Sequence, residues 1–511
     1  MNYSKVLILD FGSQVTKLIA RQIRELNIYS EILPYKTSLK KIKEISPDCI
    51  VFSGSPASVH DKKSPKPDLR VLDLGIPILG ICYGAQFLSQ ELGGKVAKSK
   101  TREFGPSKLK KILNSKLLKK INNNQISWMS HGDTIVKLPN KMKVLAKSEF
   151  GSISLFSSSD LKIVGTQFHP EVVHTEFGKQ FLRNFIVDVV GCKQNWKPDK
   201  LVSQKIREIK NLVGKNIAIS AISGGVDSSV SSVLVSKAIG SKLKCFIVDT
   251  GLMRHNEVKE IVPVLNSLGV KPKVINAGTL FLSRLKGIVD PEKKRKIIGK
   301  TFIELFDKES RKVSNAKFLV QGTLYPDVIE SVNVSGPSAI IKSHHNVGGL
   351  PKKMKLSLIE PLRDLFKDEV RYLGKALKIK KSLIGRHPFP GPGLAIRIIG
   401  EVTKDRVKLL QAADKIFIDI LKEKKLYDKI WQAFCVLVPI KTVGVMGDER
   451  TYENTIAIRA VNSVDGMTAN WARIPFDTLD LISSEIINNV KGINKVVFDI
   501  SNKPPSTIEW E

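Results

Sequence analysis

The sequence of 511 residues is poor in cysteine and has no long apolar run. Its five cysteines are odd in number and far apart, which argues against a disulfide framework and against a cysteine-based metal site. No apolar stretch approaches the roughly 18 residues that a membrane helix needs. The first ten residues pass directly into a buried-strand pattern rather than a signal peptide. Together these absences predict a cytoplasmic protein that makes no membrane contact.

The bulk composition is ordinary except for the charge. Hydrophobic residues make up 42% and charged residues 26%, as in soluble globular proteins. The length exceeds the size at which a single core stops growing, so we expect about three domains. A formal net charge of +33 indicates either a nucleic-acid partner or anionic small substrates, and we favour the substrates. A lysine-rich solvated surface accounts for most of the basic runs equally well.

Strand and helix patterns divide the chain into three parts. Apolar runs predict strands at 5–10, 48–53 and 77–81, with amphipathic helices at 13–26 and 85–92 between and after them. A second α/β pattern begins with a strand at 216–222, a helix at 228–238 and a strand at 244–249. Further strands at 435–438, 455–458 and 495–500 and a helix at 477–490 follow. This pattern predicts two doubly wound α/β domains with parallel sheets, then a small α+β domain.

Two irregular segments set the expected domain boundaries. The chain becomes polar and proline-bearing after Cys192, at 193–198. The run Arg386-His387-Pro388-Phe389-Pro390-Gly391-Pro392-Gly393 excludes regular structure, because prolines lack an amide donor and glycines break helices. We therefore predict domains at 1–192, 193–385 and 386–511.

The first part carries a thiol motif. Gly80 and Gly84 flank Cys82 at the spacing of a nucleophile elbow, in which small residues allow a tight strand-to-helix turn. The N-terminal end of the next helix favours the thiolate form of such a cysteine. His169 has the chemistry to carry the proton and Glu171 to orient the imidazole. Singly, each residue has an ordinary structural explanation, and a buried cysteine is most often a core residue.

The spacing Gly-x-Cys-x-Gly-x-Gln, followed by Phe168-His169-Pro170-Glu171, resembles the class I glutamine amidotransferases over about residues 1–190. The resemblance implies that Cys82 attacks the side-chain amide of L-glutamine and releases ammonia, with His169 and Glu171 as its partners. It places the oxyanion site at the backbone near Gly54 and Tyr83. It also assigns the glutamine pocket to Gln86, Ser130 and His131. Tight turns made for structural reasons explain the glycines in these segments almost as well.

The second part carries a phosphate-binding loop at Ser223-Gly224-Gly225-Val226-Asp227-Ser228, between a predicted strand and helix. Glycines allow close approach of phosphate, serine hydroxyls add hydrogen bonds, and Asp227 is a candidate Mg²⁺ ligand. The chain has no Gly-x-x-x-x-Gly-Lys-Ser/Thr, which excludes a P-loop NTPase reading. The loop resembles that of the PP-loop ATP pyrophosphatases, which cleave ATP between the α and β phosphates. That resemblance implies ATP as co-substrate and ATP contacts at Ser223, Gly224, Gly225, Val226, Asp227, Ser228, Ser229 and Asp249.

The two motifs in this order, with the C-terminal extension, resemble the enzymes that aminate xanthosine monophosphate (XMP) to GMP with nitrogen from glutamine. Segments at 321–327, 342–349, 360–364 and 503–511 agree with that family. The resemblance implies adenylylation of XMP at O2 by Mg-ATP, displacement of AMP by ammonia, and a homodimer. It implies XMP contacts at Arg295, Gln432, Lys503, Ile508 and Glu509. A solvated helix face is the alternative explanation for Arg295.

Two other classes of protein are compatible with parts of the sequence. A PP-loop enzyme that modifies tRNA would use the positive charge to bind phosphates. The chain has no Cys-x-x-Cys and no basic strand rich in aromatics for base stacking, so we expect no nucleic-acid partner. A binding protein that has lost its chemistry is the other class, and the intact Cys82, His169 and Glu171 argue against it.

Overall fold

The computed structural model describes residues 3–331, 356–446, 449–463, 466 and 468–511. The family segment at 342–349 therefore lies outside the described residues. The chain divides into two compact units, the first made mainly of residues up to Lys197 and the second mainly of residues from Pro198 on. Within the described ranges, no helix is both long and apolar enough to cross a membrane.

The first unit contains a nine-stranded sheet in the order β2-β1-β3-β4-β9-β8-β7-β5-β6. Its strands are β1 Lys5–Asp10, β2 Tyr29–Pro34, β3 Cys49–Phe52, β4 Ile78–Ile81, β5 Lys95–Lys111, β6 Ile126–Lys137, β7 Met142–Ser148, β8 Ile153–Ser158 and β9 Ile163–Thr166. Its helices are α1 Thr16–Glu25, α2 Leu39–Ile45, α3 Tyr83–Glu91 and α4 Gly178–Arg183.

Half of this sheet is parallel and half antiparallel. Strands β2, β1, β3, β4 and β9 run parallel to one another. Strands β3 and β4 are buried at every position, as expected of parallel strands covered on both faces. Strands β8, β7, β5 and β6 extend the sheet in antiparallel fashion. Apolar runs predicted three of the five parallel strands, β1, β3 and β4, but neither β2 nor β9, and they predicted no strand of the lysine-rich antiparallel half.

The second unit begins with a five-stranded parallel sheet in the order β12-β11-β10-β13-β14. Its strands are β10 Ile217–Ala221, β11 Leu243–Asp249, β12 Pro272–Asn276, β13 Ala316–Val320 and β14 Ser357–Ile359. The helices in and around it are α5 Leu201–Val213, α6 Val226–Ile239, α7 Glu257–Ser267, α8 Gly278–Leu285, α9 Pro291–Ser310, α10 Tyr325–Ser331, α11 Lys367–Ala376 and α12 Lys381–Ile384.

The chain ends in a four-stranded mixed sheet that packs against two helices. Its strands are β15 Gln432–Met446, β16 Glu449–Ser463, β17 Ala469–Trp471 and β18 Ile493–Asp499, and its helices are α13 Lys404–Glu423 and α14 Phe476–Asn489. One apolar core joins α13, α14 and this sheet to residues of β11, α8 and α9. The predicted fold class, two α/β sheets followed by a small α+β part, is confirmed. The bounds of the three domains stay predictions.

Candidate active sites

Cys82 lies at the turn between β4 and α3, as the motif predicts. Its backbone has φ 52° and ψ −107°, a left-handed conformation that non-glycine residues seldom adopt. Its amide donates to the Thr166 carbonyl oxygen at 2.7 Å, and its Sγ lies 3.6 Å from the Ser130 carbonyl oxygen. The residue is 5% exposed. The strained turn therefore holds the thiol in a fixed position at the end of the strand.

The glycines on either side of Cys82 are required by packing against backbone. A Cβ on Gly80 would lie 2.6 Å from the Gly84 carbonyl carbon, and a Cβ on Gly84 would lie 2.4 Å from the Phe52 carbonyl oxygen. Neither position accepts a side chain without moving the main chain. The three residues Gly80, Cys82 and Gly84 thus form one tightly packed elbow against β3.

His169 and Glu171 come to the same edge of the sheet as Cys82. β9 pairs with β4 in register Ile81 to Thr166, so the chain after β9 emerges beside the elbow. His169 Nδ1 lies 2.8 Å from Glu171 Oε1, and both side chains are buried. Burial lowers the pKa of His169, but attraction to Glu171 and Cys82, and hydrogen bonds with both, raise that pKa well above its usual value. The site therefore favours a protonated imidazole next to the thiol.

The other residues predicted for glutamine binding surround this edge. A Cβ on Gly54, which follows β3, would lie 3.5 Å from His169 Cε1. Tyr83 is the first residue of α3, and its hydroxyl donates to the Pro65 carbonyl oxygen at 2.8 Å. Gln86 Nε2 donates to the Asp133 carbonyl oxygen at 2.9 Å. Burial raises the pKa of Tyr83 to about 12, which keeps its hydroxyl protonated.

Ser130 and His131 lie on β6. The Ser130 carbonyl oxygen is the one that faces the Cys82 thiol. Burial lowers the pKa of His131, against the weaker effects of the Glu103 charge and the Asp133 backbone. Its two ring nitrogens are buried and make no close hydrogen bond with the described residues. The neutral imidazole therefore keeps hydrogen-bonding capacity for a polar substrate.

The phosphate-binding loop follows β10 and opens α6, also as predicted. Gly224 has φ 81°, and Gly225 precedes the first residue of the helix. Ser223 and Ser228 hydroxyls lie 3.2 Å apart, and the Ser229 hydroxyl donates to the Gly225 carbonyl oxygen at 2.8 Å. Among the residues that the structure describes, only Ser223 Oγ, at 3.4 Å, lies near a Cβ placed on Gly225. The loop is thus held by its own serines, and the described residues leave open space next to Gly225.

Asp227 and Asp249 lie at the same edge of this sheet. Asp227 Oδ2 lies 2.5 Å from Lys367 Nζ, whereas its Oδ1 is buried without a partner among the described residues. Asp249 Oδ1 accepts from the Gly251 amide at 2.9 Å and lines a cavity of about 670 Å³. That volume is in the range of small-molecule sites. The carboxyl ends of neighbouring parallel strands therefore collect both predicted acids.

Two cations near the loop escaped the sequence reasoning. Lys367, at the start of α11, contacts Asp227. Arg386 donates from Nη1 to the Gly224 carbonyl oxygen at 3.3 Å and from Nη2 to Glu257 Oε1 at 2.6 Å. Neither belongs to a spacing motif, and the only signal for Arg386 was its place in the proline- and glycine-rich run.

The residues predicted to contact XMP fall into separate groups. Gln432 Nε2 donates to Glu509 Oε1 at 2.9 Å, so these two lie together. Arg295 Nη2 donates to the Glu511 carbonyl oxygen at 2.5 Å, and Lys503 Nζ donates to the Gly466 carbonyl oxygen at 2.7 Å. Ile508 packs against the apolar cluster that includes Phe434 and Val436.

Comparison with known proteins covers the whole chain. Residues 7–189 match the family model described as glutamine amidotransferase class-I, and residues 419–510 match the model described as GMP synthase C terminal domain. The chain is 53% identical over 511 residues to a glutamine-hydrolysing GMP synthase of Aquifex aeolicus, covering 100% of both chains. It is 54% identical to that of Chlorobaculum tepidum, covering 99% of each chain. It is 50% identical to that of Brachyspira hyodysenteriae, covering 100% of this chain and 99% of that one.

Proposed function

The chain belongs to the glutamine-hydrolysing GMP synthases and forms GMP with nitrogen from glutamine, and we propose how its residues divide that work. ATP is a co-substrate. The arrangement of Cys82, His169 and Glu171 at one sheet edge is the observation that carries the proposal for the first half of the reaction.

In the glutaminase half, the Cys82 thiolate attacks the side-chain carbonyl carbon of glutamine. The oxyanion receives hydrogen bonds from backbone amides near Gly54 and from the Tyr83 amide. His169 gives its proton to the leaving nitrogen, which departs as ammonia, and a thioester remains on Cys82. Water, deprotonated by His169, then hydrolyses the thioester to glutamate. Glu171 keeps the imidazole in the orientation that both proton transfers need. Gln86, Ser130 and His131 bind the rest of the glutamine.

In the synthetase half, the O2 of XMP attacks the α-phosphate of ATP, and pyrophosphate leaves. Ammonia then attacks C2 of the adenylylated purine, AMP departs with the O2 oxygen, and GMP forms. The loop residues Ser223, Gly224, Gly225, Val226, Ser228 and Ser229 hold the phosphates, and Asp249 lies where the nucleoside binds. Arg295, Gln432, Lys503, Ile508 and Glu509 hold XMP. Activation is needed because a lactam oxygen is a poor leaving group.

The residues fit a Mg²⁺ ion that accompanies ATP. Asp227 Oδ1 is buried without a hydrogen-bond partner among the described residues, and magnesium is commonly held by one or two carboxylates together with substrate phosphates. Within the same ranges no group of three metal-ligating side chains forms. We therefore assign Asp227 as the protein ligand of a substrate-bound ion that neutralises phosphate charge. Lys367 shares this carboxylate and is available to the same phosphates.

We also propose a cytoplasmic homodimer. Exposed apolar side chains cluster on the β15–β16 hairpin, at Ile440, Val443, Val445 and Tyr452, with exposures of 51% to 74%. Such a patch is typical of a protein contact. Light scattering during gel filtration is expected to give twice the chain mass of 56.8 kDa. A monomer at micromolar concentration would contradict this part of the proposal.

One assay tests the division of work. GMP formation from XMP and ATP is measured with glutamine or with ammonium as the nitrogen source. Cys82→Ala is expected to lose the glutamine reaction and keep the ammonium reaction, because ammonia bypasses the thiol. Asp227→Asn is expected to abolish both, because both need the adenylylated purine. Release of ADP and orthophosphate in place of AMP and pyrophosphate by the wild type would overturn the proposal.

A further inference from the structure

Three fully buried cations hold the C-terminal segment of the chain. Lys294 on α9, Arg397 after the proline- and glycine-rich run, and Arg459 on β16 are each 0% exposed. Lys294 contacts Glu511 and donates to the Ile398 carbonyl oxygen at 2.8 Å. Arg459 Nη1 lies 3.1 Å from Asp499 Oδ1 and donates to the Ser501 carbonyl oxygen at 2.6 Å. The segment from Asp499 on is therefore fixed by charge as well as by packing.

Arg397 makes the most directional of these contacts. Its Nε donates to Glu509 Oε2 at 3.0 Å and its Nη2 donates to Glu509 Oε1 at 2.8 Å, a bidentate pair. Its guanidinium carbon lies 4.0 Å from the centre of the Phe434 ring and 5.0 Å from that of Phe389. The planar group is held by two rings and has little freedom to turn. Glu509 is thus locked in one orientation.

The second donor to Glu509 is Gln432. Its Nε2 reaches Glu509 Oε1 at 2.9 Å and the Pro388 carbonyl oxygen at 3.2 Å. Two residues assigned to XMP binding, Gln432 and Glu509, are therefore joined to each other, and Arg397 fixes the acid between them. The Arg397 Nη1 atom is buried without an acceptor among the described residues.

Charge explains why the Glu509 carboxylate needs a cation beside it. XMP is an anion, and a carboxylate without a counterion would repel it. A guanidinium that neutralises Glu509 removes this repulsion and leaves the carboxylate as a hydrogen-bond acceptor. Arg397 is fully buried and donates two hydrogen bonds to Glu509, so its effect on the substrate passes through the Glu509 side chain.

We infer that Arg397 is a positioning residue for XMP, which fixes and neutralises Glu509 so that Glu509 and Gln432 bind the nucleotide. This inference rests on the proposed XMP site. It assigns Arg397 no contact with ATP and none with the thiol. It therefore concerns XMP affinity and leaves the chemistry of adenylylation to the phosphate-binding loop.

The test compares steady-state constants of the full-length enzyme with ammonium as nitrogen source, for Arg397→Met, Glu509→Gln and the double variant. Arg397→Met is expected to raise the KM for XMP by about tenfold or more, because it leaves a carboxylate unpaired. The KM for ATP stays within about twofold, since no bond of Arg397 reaches the loop. The double variant is expected to show a KM for XMP no higher than that of Glu509→Gln alone. Arg311→Met, which removes an exposed cation from the end of α9, serves as the matched control.

The kinetic results distinguish an action of Arg397 through Glu509 from an independent effect of Arg397. An unchanged KM for XMP in Arg397→Met, or effects that multiply in the double variant, would overturn the inference, because Arg397 would then not act through Glu509. If Arg397→Met does not fold, Arg397→Lys replaces it in the test, because lysine keeps the positive charge but cannot form the bidentate pair with Glu509. An intermediate rise in the KM for XMP at unchanged melting temperature then supports the inference, and wild-type kinetics overturn it. Failure of the wild type to make GMP from XMP would instead overturn the proposed function.

Discussion

The two strand-to-helix turns that carry the chemistry solve the same geometric problem with different residues. Each turn needs a left-handed backbone at the end of a buried parallel strand. The thiol turn places Cys82 there, with φ 52°, and the phosphate turn places Gly224 there, with φ 81°. The nucleophile needs a side chain, so the thiol turn accepts the backbone strain of a non-glycine residue at positive φ. A loop that binds phosphate through its backbone amides needs no side chain at this position, so glycine avoids the strain.

The glycines of the two turns also differ in what surrounds them. A Cβ on Gly84 would meet the Phe52 carbonyl oxygen at 2.4 Å, so protein atoms fill the space. A Cβ on Gly224 would meet the flexible end of Ile261 at 2.9 Å, and one on Gly225 would have, among the described residues, only Ser223 Oγ, at 3.4 Å, within 4 Å. Main-chain atoms therefore crowd the glycines of the thiol turn, whereas side chains crowd Gly224 and the described residues leave space next to Gly225. Substitutions of Gly84, Glu171, Gly224 and Gly225 test this difference.

Gly84→Ala is expected to have the largest effect. The added methyl group pushes α3 away from β3, which moves Cys82 and the backbone near Gly54 in one step. We expect glutamine-dependent GMP formation to fall by about 10³-fold, since small displacements of nucleophile and oxyanion donors are each costly. The ammonium-dependent rate, measured on the same preparation, is expected to persist. Equal loss of both rates would show that the substitution unfolds more than the elbow.

Glu171→Gln is expected to have a smaller effect on the same turn. Glu171 raises the pKa of His169 against the effect of burial, so its removal lowers that pKa. Imidazolium then deprotonates at lower pH, and the alkaline limb of the glutaminase pH profile moves to lower pH. The rate at neutral pH is expected to fall by about 10²-fold, the range for a misdirected acid-base residue. A pH profile with an unmoved alkaline limb would show that Glu171 only fills space.

The raised pKa of His169 also determines how the stability of the folded protein depends on pH. Because the folded-state pKa of His169 lies above its ordinary value, the pair stabilises the fold fully at pH below the unfolded value, about 6.5. That stabilisation is lost as pH rises through the folded value. Melting temperatures of wild type and Glu171→Gln are therefore expected to differ most in acid and to converge in alkali.

The sequence predicted the thiol turn more completely than the nucleotide site, for a physical reason. Cys82, His169 and Glu171 must touch, and parallel strands in register bring the ends of β4 and β9 together. An apolar run predicted β4, whereas β9 was not predicted, and the resemblance to the amidotransferase motif supplied the link between Cys82 and His169. Likewise β10, β11 and the loop after β10 followed from apolar runs and a glycine pair.

Long-range cations around the nucleotide site were beyond sequence reasoning. Lys367 reaches Asp227 from 140 residues away and Arg386 reaches Gly224 from 162 residues away. In a chain with a net charge of +33, one lysine or arginine carries no local sign that its partner is a distant acid. The sequence did not predict a role for Arg397 for the same reason. Burial distinguishes Arg397, together with Lys294 and Arg459, from the exposed cations, and burial depends on the tertiary fold.

Gly224→Ala is expected to have a smaller effect than either substitution at the thiol turn. Alanine at this left-handed position costs about 1–2 kcal/mol, while the Ile261 side chain is able to turn aside. We expect the strain to lower the melting temperature, and a shift of the loop that relieves it to raise the KM for ATP by up to about tenfold. The KM for ATP is expected to rise equally with glutamine and with ammonium as the nitrogen source, because both reactions use the same loop.

Gly225→Ala separates backbone strain from space for the ligand. Gly225 has φ −71°, which alanine adopts freely, and within the described part of the chain its Cβ would meet only the Ser223 hydroxyl, at 3.4 Å. If the open space next to it holds phosphate, this variant raises the KM for ATP without lowering the melting temperature. If the KM for ATP stays at the wild-type value, the glycines of this turn serve the backbone alone. The two turns would then differ only in which residue bears the strain, and the contrast in free space would carry no functional meaning.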